Sequence, residues 1–68
     1  MGELSIPFVL RELANNIEQY NSYGMRIGFS SLSFCGNSYD VRDWDGHVFR
    51  FNDLMDAVTK FIEVNNSK

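Results

Sequence analysis

Sixty-eight residues leave room for one domain and one core, near the lower size at which a chain folds without disulfides or metals. An apolar fraction of 44% and ten aromatic residues exclude a disordered chain. The net charge of −3 (six Lys and Arg against nine Asp and Glu) argues against non-specific nucleic-acid binding, which needs a basic footprint.

No apolar run approaches the ~20 residues of a membrane span, and Met1 to Ser5 lacks the charged start of a signal peptide, so a cytosolic, membrane-free protein is expected. A single cysteine, Cys35, cannot form an internal disulfide and is too few for a zinc site. No glycine-rich phosphate loop or nucleophile elbow is present, and neither a cofactor nor a metal is expected.

The first element reads as a helix over about residues 5–21. Ile6, Val9, Leu10, Leu13, Ile17 and Tyr20 recur at helical spacing, while Arg11, Glu12, Asn15, Glu18 and Gln19 take the other side. Ser5 is the expected N-cap, Pro7 fits the first turn, and Gly24 suits a left-handed C-terminal position. Strands are expected over 25–35, 38–43 and 47–52. Gly36-Asn37 reads as a two-residue loop with glycine first, which sets Phe34 opposite Tyr39 and Leu32 opposite Val41 on one face. The other face then carries Ser33 against Asp40 and Ser31 against Arg42. A one-residue slip would destroy that sorting.

For the next turn a three-residue loop, Trp44-Asp45-Gly46, is preferred over Asp45-Gly46. It pairs Val41 with Phe49, Tyr39 with Phe51 and Asp40 with Arg50, with Gly46 in a bulged turn. Ile27 and Phe29 have the opposite parity to Leu32 and Phe34. That implies a bulge at Ser30-Ser31, or a differently oriented segment over 25–29. A second helix is expected over 53–64, capped by Asn52 or Asp53 and followed by a tail, Asn65-Asn66-Ser67-Lys68. The expected fold is therefore α+β, in the order α-β-β-β-α: a three-stranded antiparallel meander with both helices on one face, and with the first and third strands as edges.

That order is also the order of the double-stranded-RNA-binding domain. Here, however, the last helix opens Asn52-Asp53-Leu54-Met55-Asp56, where that family carries a lysine cluster, and the Gly36-Asn37 loop is too short to enter a groove. RNA binding by that route is not expected. Nor does Asp43-Trp44-Asp45-Gly46 form a calcium loop: aligned on Gly46, the first ligand position is Val41 and the closing one Asn52. His47 beside Asp43 offers an oriented imidazole, but Cys35 belongs to the far hairpin, so no nucleophile is at hand and no enzyme is expected.

The remaining feature is an acidic hairpin. Asp40, Asp43, Asp45, Asp53 and Asp56 cluster within seventeen residues, against Arg42 and Arg50. Trp44 sits at the hairpin tip. It either folds back over Val48, Arg42 or a helix end, or stands out as an anchor for a partner. Phe29, Phe34, Phe49, Phe51 and Phe61 read as packing, and Tyr23, in the loop after the first helix, as either packing or surface.

The expected function is a non-enzymatic, acidic protein-binding module. Asp40, Arg42, Asp43, Trp44, Asp45 and Arg50 would contact a partner with a basic surface. Where that surface holds nucleic acid, the protein would be an inhibitor, of the size and charge seen in phage and mobile-element proteins. An accessory or immunity subunit fits the same chemistry. A nucleic-acid binder using Arg26, Arg42 and Arg50 on the polar sheet face is the alternative, and a homodimer through a sheet edge is open.

Overall fold

The computed structural model describes residues 4–67 of the chain. The elements are α1 (Ile6–Tyr20), β1 (Gly24–Ile27), β2 (Ser30–Cys35), β3 (Ser38–Arg42), β4 (Val48–Phe51) and α2 (Leu54–Asn66). The α+β class and the helix, sheet, helix order hold. The sheet, however, is a four-stranded antiparallel meander, β1-β2-β3-β4, where three strands are expected. The single strand expected over 25–35 is a hairpin. Its turn is Gly28-Phe29, with Gly28 at φ +60° and Ile27 paired with Ser30.

This turn accounts for the parity conflict without a bulge. A two-residue loop reverses the chain, so Met25 and Ile27 lie on the same face as Ser30, Leu32 and Phe34. Gly36, at φ +63°, opens the second hairpin in the same way. The edges are β1 and β4: the expected third strand is an edge as β4, and of the expected first strand only the β1 half is an edge, β2 being interior.

The two expected registers are present pair for pair: Leu32 with Val41 and Phe34 with Tyr39 across β2–β3, then Val41 with Phe49 and Asp40 with Arg50 across β3–β4. In the third turn the Gly46 N–H donates to the Asp43 carbonyl (3.2 Å), and the Asp43 N–H to the His47 carbonyl (3.0 Å). With Gly46 at φ +93°, this is a three-residue loop closed by a glycine bulge.

Ser5 caps α1, its Oγ accepting from the Phe8 N–H. Asn21 ends the helix at φ 54°, taking the left-handed position expected of Gly24, which instead opens β1. Gly24 is required there for closeness: a Cβ would lie 2.7 Å from the Leu32 carbonyl oxygen. Asp53 caps α2 through the Asp56 N–H (3.1 Å). The helix then continues through Asn66, absorbing two residues expected in the tail.

Both helices pack on one face. Val9 of α1, Leu32 and Val41 of the sheet, and Ala57, Val58 and Phe61 of α2 form the buried core. Each large buried side chain contributes about 1.5–3 kcal/mol. Phe49 and Phe51 are half-buried at its margin, and Phe34 is exposed, stacked flat on Tyr39 with ring centroids 4.8 Å apart. No helix of the described residues is long and apolar enough to cross a membrane.

Candidate functional site: the acidic hairpin and its support

The β3–β4 turn is built around the Asp43 carboxylate. Its Oδ1 accepts from the Asp45 N–H (3.0 Å) and the His47 N–H (2.9 Å), and its Oδ2 lies 3.3 Å from His47 Nδ1. Partial desolvation works to raise this carboxyl. The two backbone N–H groups and the imidazole together outweigh it and hold Asp43 below its ordinary 3.8. Asp40, one strand pair away, is also held below 3.8, mainly by its hydrogen bond to Arg50, whose Nε and Nη2 stand 2.9 and 3.3 Å from the two carboxylate oxygens.

Trp44 is half-buried, and its position answers the choice left open above. The indole N–H donates to Asn65 Oδ1 (3.2 Å) near the end of α2. The six-membered ring lies over Gly28, where a Cβ would stand 2.1 Å from its Cη2. Trp44 therefore joins the β3–β4 turn, the β1–β2 turn and α2. Asn65 is the hub of that junction. Its Oδ1 also lies 3.0 Å from the hydroxyl of fully buried Ser30, and its Nδ2 donates to the Phe61 carbonyl (2.9 Å). Ser30 in turn lies 2.7 Å from the Ile27 carbonyl. The amide thus accepts from the indole N–H at a place where an apolar residue would leave that donor without this acceptor, while the Ser30 hydroxyl would keep the Ile27 carbonyl.

Phe29 overturns its assignment to the core. It is 77% exposed at the tip of the β1–β2 turn and meets Trp44 edge-on, with centroids 5.9 Å apart and planes at 83°. Its position follows from the turn type, because the second loop residue of a glycine-first hairpin points away from both strands. Sequence reasoning missed Phe29 and Asn65 as members of this site. The repeated glycine-plus-one spacing at 28–29 and 36–37 was the available signal for the former. The four-residue step from Phe61 was the signal for the latter.

Asp43, Trp44 and Asp45 line a shallow cleft of about 360 Å³ with Val64 and Ser67 of the α2 end. Among the described residues the last turn of α2 carries no basic side chain, and the negative end of the helix dipole lies beside the cleft. Asp40, Arg42 and Arg50 are not part of it. They sit on the open face of the sheet, which the helices leave uncovered. Asp43, Asp45 and His47 bring three ligand-type atoms within 4.8 Å of one another. The hydrogen bonds that shape the turn already explain that grouping. Among the described residues the His47 imidazole is paired with the Asp43 carboxylate, and the Cys35 side chain lies outside the described residues.

A second concavity, of about 270 Å³, opens between α1 and the start of α2 over Leu32, Phe34 and Tyr39. It is lined by no carboxylate, imidazole or amine, so it offers packing and no charge. Comparison of the chain with protein families, with curated proteins and with solved structures finds no match.

Proposed function

We propose that the protein is a non-enzymatic protein-binding module whose acidic tip docks on a basic surface of a partner. The observation that carries this reading is the cleft lined by Asp43, Trp44, Asp45 and the α2 terminus. It combines two carboxylates, a negative helix end and an indole face, the set of groups that accommodates a guanidinium or an ammonium. Beside it stands Phe29, a large exposed aromatic held in place by Trp44. A pre-positioned aromatic anchor next to a charged rim is the usual composition of a binding hot spot.

In this reading Trp44 both braces the tip and forms a wall of the cleft, and Phe29 is the protruding anchor. Where the partner's basic surface ordinarily holds nucleic acid, the tip competes with phosphate and the protein acts as an inhibitor. An accessory or immunity subunit would engage its partner by the same chemistry.

The test is capture of partners from source-cell lysate by the wild type, Phe29→Ser and Asp45→Lys, at folding matched by circular dichroism. Both side chains are exposed, so both variants should fold. A partner lost with each substitution supports the reading. Partners retained by both variants refute it.

A further inference from the structure

The registers place two rows of side chains on the uncovered sheet face: Arg26, Ser31, Arg42 and Val48 in one, and Gly24, Ser33, Asp40 and Arg50 in the next. Three arginines against one aspartate give this face +2. The rest of the chain therefore carries −5 against a total of −3. Arg50 is bonded to Asp40 through two nitrogens. Arg26 and Arg42 are different. Both are exposed, and among the described residues neither side chain has a hydrogen-bond or ion-pair partner; the hydroxyls of Ser31 and Ser33 have none either. A depression of about 120 Å³, lined by Ser31, Ser33, Asp40, Arg42 and Val48, lies beside them.

We propose that this face is a second binding surface, which takes a carboxylate-bearing segment of a protein, with Arg26, Arg42 and the Ser31 and Ser33 hydroxyls as donors. The Asp40–Arg50 pair is the face's own example of the contact, with a carboxylate bound by the Nε and Nη2 of an arginine. The small floor of Gly24, Ser31 and Ser33 lets a partner backbone approach closely. Arg26 and Arg42 are two strands apart, about 10 Å between Cα atoms, so they flank a ligand seated over Ser31.

Two observations favour carboxylates over a nucleic-acid backbone. No aromatic residue lies in either row, so the ground between Arg26 and Arg42 has no platform for a base; Tyr20, Tyr23 and Phe34 adjoin Arg26, Ser31 and Ser33 only at the β1 edge. A polyanion extending beyond the face would meet the surplus acids elsewhere on the molecule. A short segment would not, because the molecule measures 29 × 26 × 19 Å, while charges at ~0.1 M salt are felt over only about 10 Å. A second copy placed face to face would oppose two +2 surfaces, so the face does not suit a symmetric dimer.

The test is a titration of the ¹⁵N-labelled protein at moderate ionic strength with an alternating glutamate–serine peptide, a lysine–serine peptide and a short DNA oligonucleotide. The expected result is amide shifts confined to Arg26, Ser31, Ser33, Arg42 and their neighbours, with the glutamate peptide only. They should be lost in the Arg26→Ser/Arg42→Ser variant and kept in Arg11→Ser, which removes a charge from α1. The inference is overturned by shifts that are larger with DNA than with the glutamate peptide. It is equally overturned by shifts elsewhere on the surface, or by none with any probe.

Discussion

Gly28 and Trp44 give the sharpest quantitative test of how the tip is assembled. In Gly28→Ala two costs combine. A residue with a Cβ at φ +60° is strained by about 1–2 kcal/mol. The new methyl would also stand 2.1 Å from the Trp44 ring, so the indole must leave its seat. Leaving forfeits the edge-on contact with Phe29, about 0.5–1.5 kcal/mol, and the bond to Asn65, of similar size. The total is about 3 kcal/mol, a large part of the stability of so small a domain. Trp44→Ala alone should cost about 2–3 kcal/mol, less than a fully buried tryptophan because the ring is half-buried. With the indole absent, Gly28→Ala should cost only its strain, so the two effects fall short of additivity by about 2 kcal/mol. Urea unfolding followed by circular dichroism measures all four corners of the cycle, and fluorescence of the one tryptophan reports its displacement in Gly28→Ala. Gly36→Ala is the control. Its φ is +63° and no atom lies within 4 Å of the added Cβ, so it should cost strain alone in either background. Additivity of Gly28→Ala and Trp44→Ala within ~0.5 kcal/mol would refute the reasoning.

Three further outcomes are expected. Asp40 and Asp43 have folded-state carboxyls held below 3.8, so the unfolded chain takes up protons first as the pH falls. Their stabilising contribution is complete above about pH 5, begins to fall as the unfolded carboxyls take up protons around 3.8, and is lost as the pH drops through the lowered folded values. Urea midpoints measured across that range should fall less steeply in Asp43→Asn, and identical acid limbs would contradict the assigned hydrogen bonds. Phe61→Ala should cost about 3–5 kcal/mol by emptying a fully buried site, whereas Val48→Lys on the open face should change stability by no more than ~0.5 kcal/mol. If Val48→Lys unfolds the protein, the two sheet faces are misassigned.

The strand pairings of β2, β3 and β4 are legible in the sequence because charge and aromaticity alternate strictly there. Only one register puts Asp40 beside Arg50 while keeping Val41 against Phe49. The first hairpin is illegible for a physical reason. A phenylalanine in a turn resembles a core residue by type, so Ile27 and Phe29 look like one continuous strand with its phase broken. The turn chemistry at Gly28 resolves this where hydrophobicity does not. Asn65 is hidden in another way: the four-residue step from Phe61 places it on the packed side of α2, but its bond to Trp44 spans twenty-one residues and its contact with Ser30 thirty-five, and no local pattern announces those. The acidic character of the tip is plain from Asp43 and Asp45. The aromatic anchor beside it comes from a different hairpin, and only the folded chain brings the two together.

The side-chain amide of Asn66 clasps the backbone of Leu4, with Oδ1 accepting from its N–H (3.1 Å) and Nδ2 donating to its carbonyl (3.4 Å). Asn66 follows the residue that holds Trp44, so both ends of the described chain emerge beside the tip. Anything fused to either end is thereby delivered next to the cleft. A bulky affinity tag or a resin there would shade Phe29 and Asp45, and immobilisation through an exposed cysteine introduced on α1 would leave them open. The same geometry favours tethering: a candidate partner joined through a short flexible linker would face the cleft at millimolar effective concentration, enough to reveal an interaction too weak to survive washing.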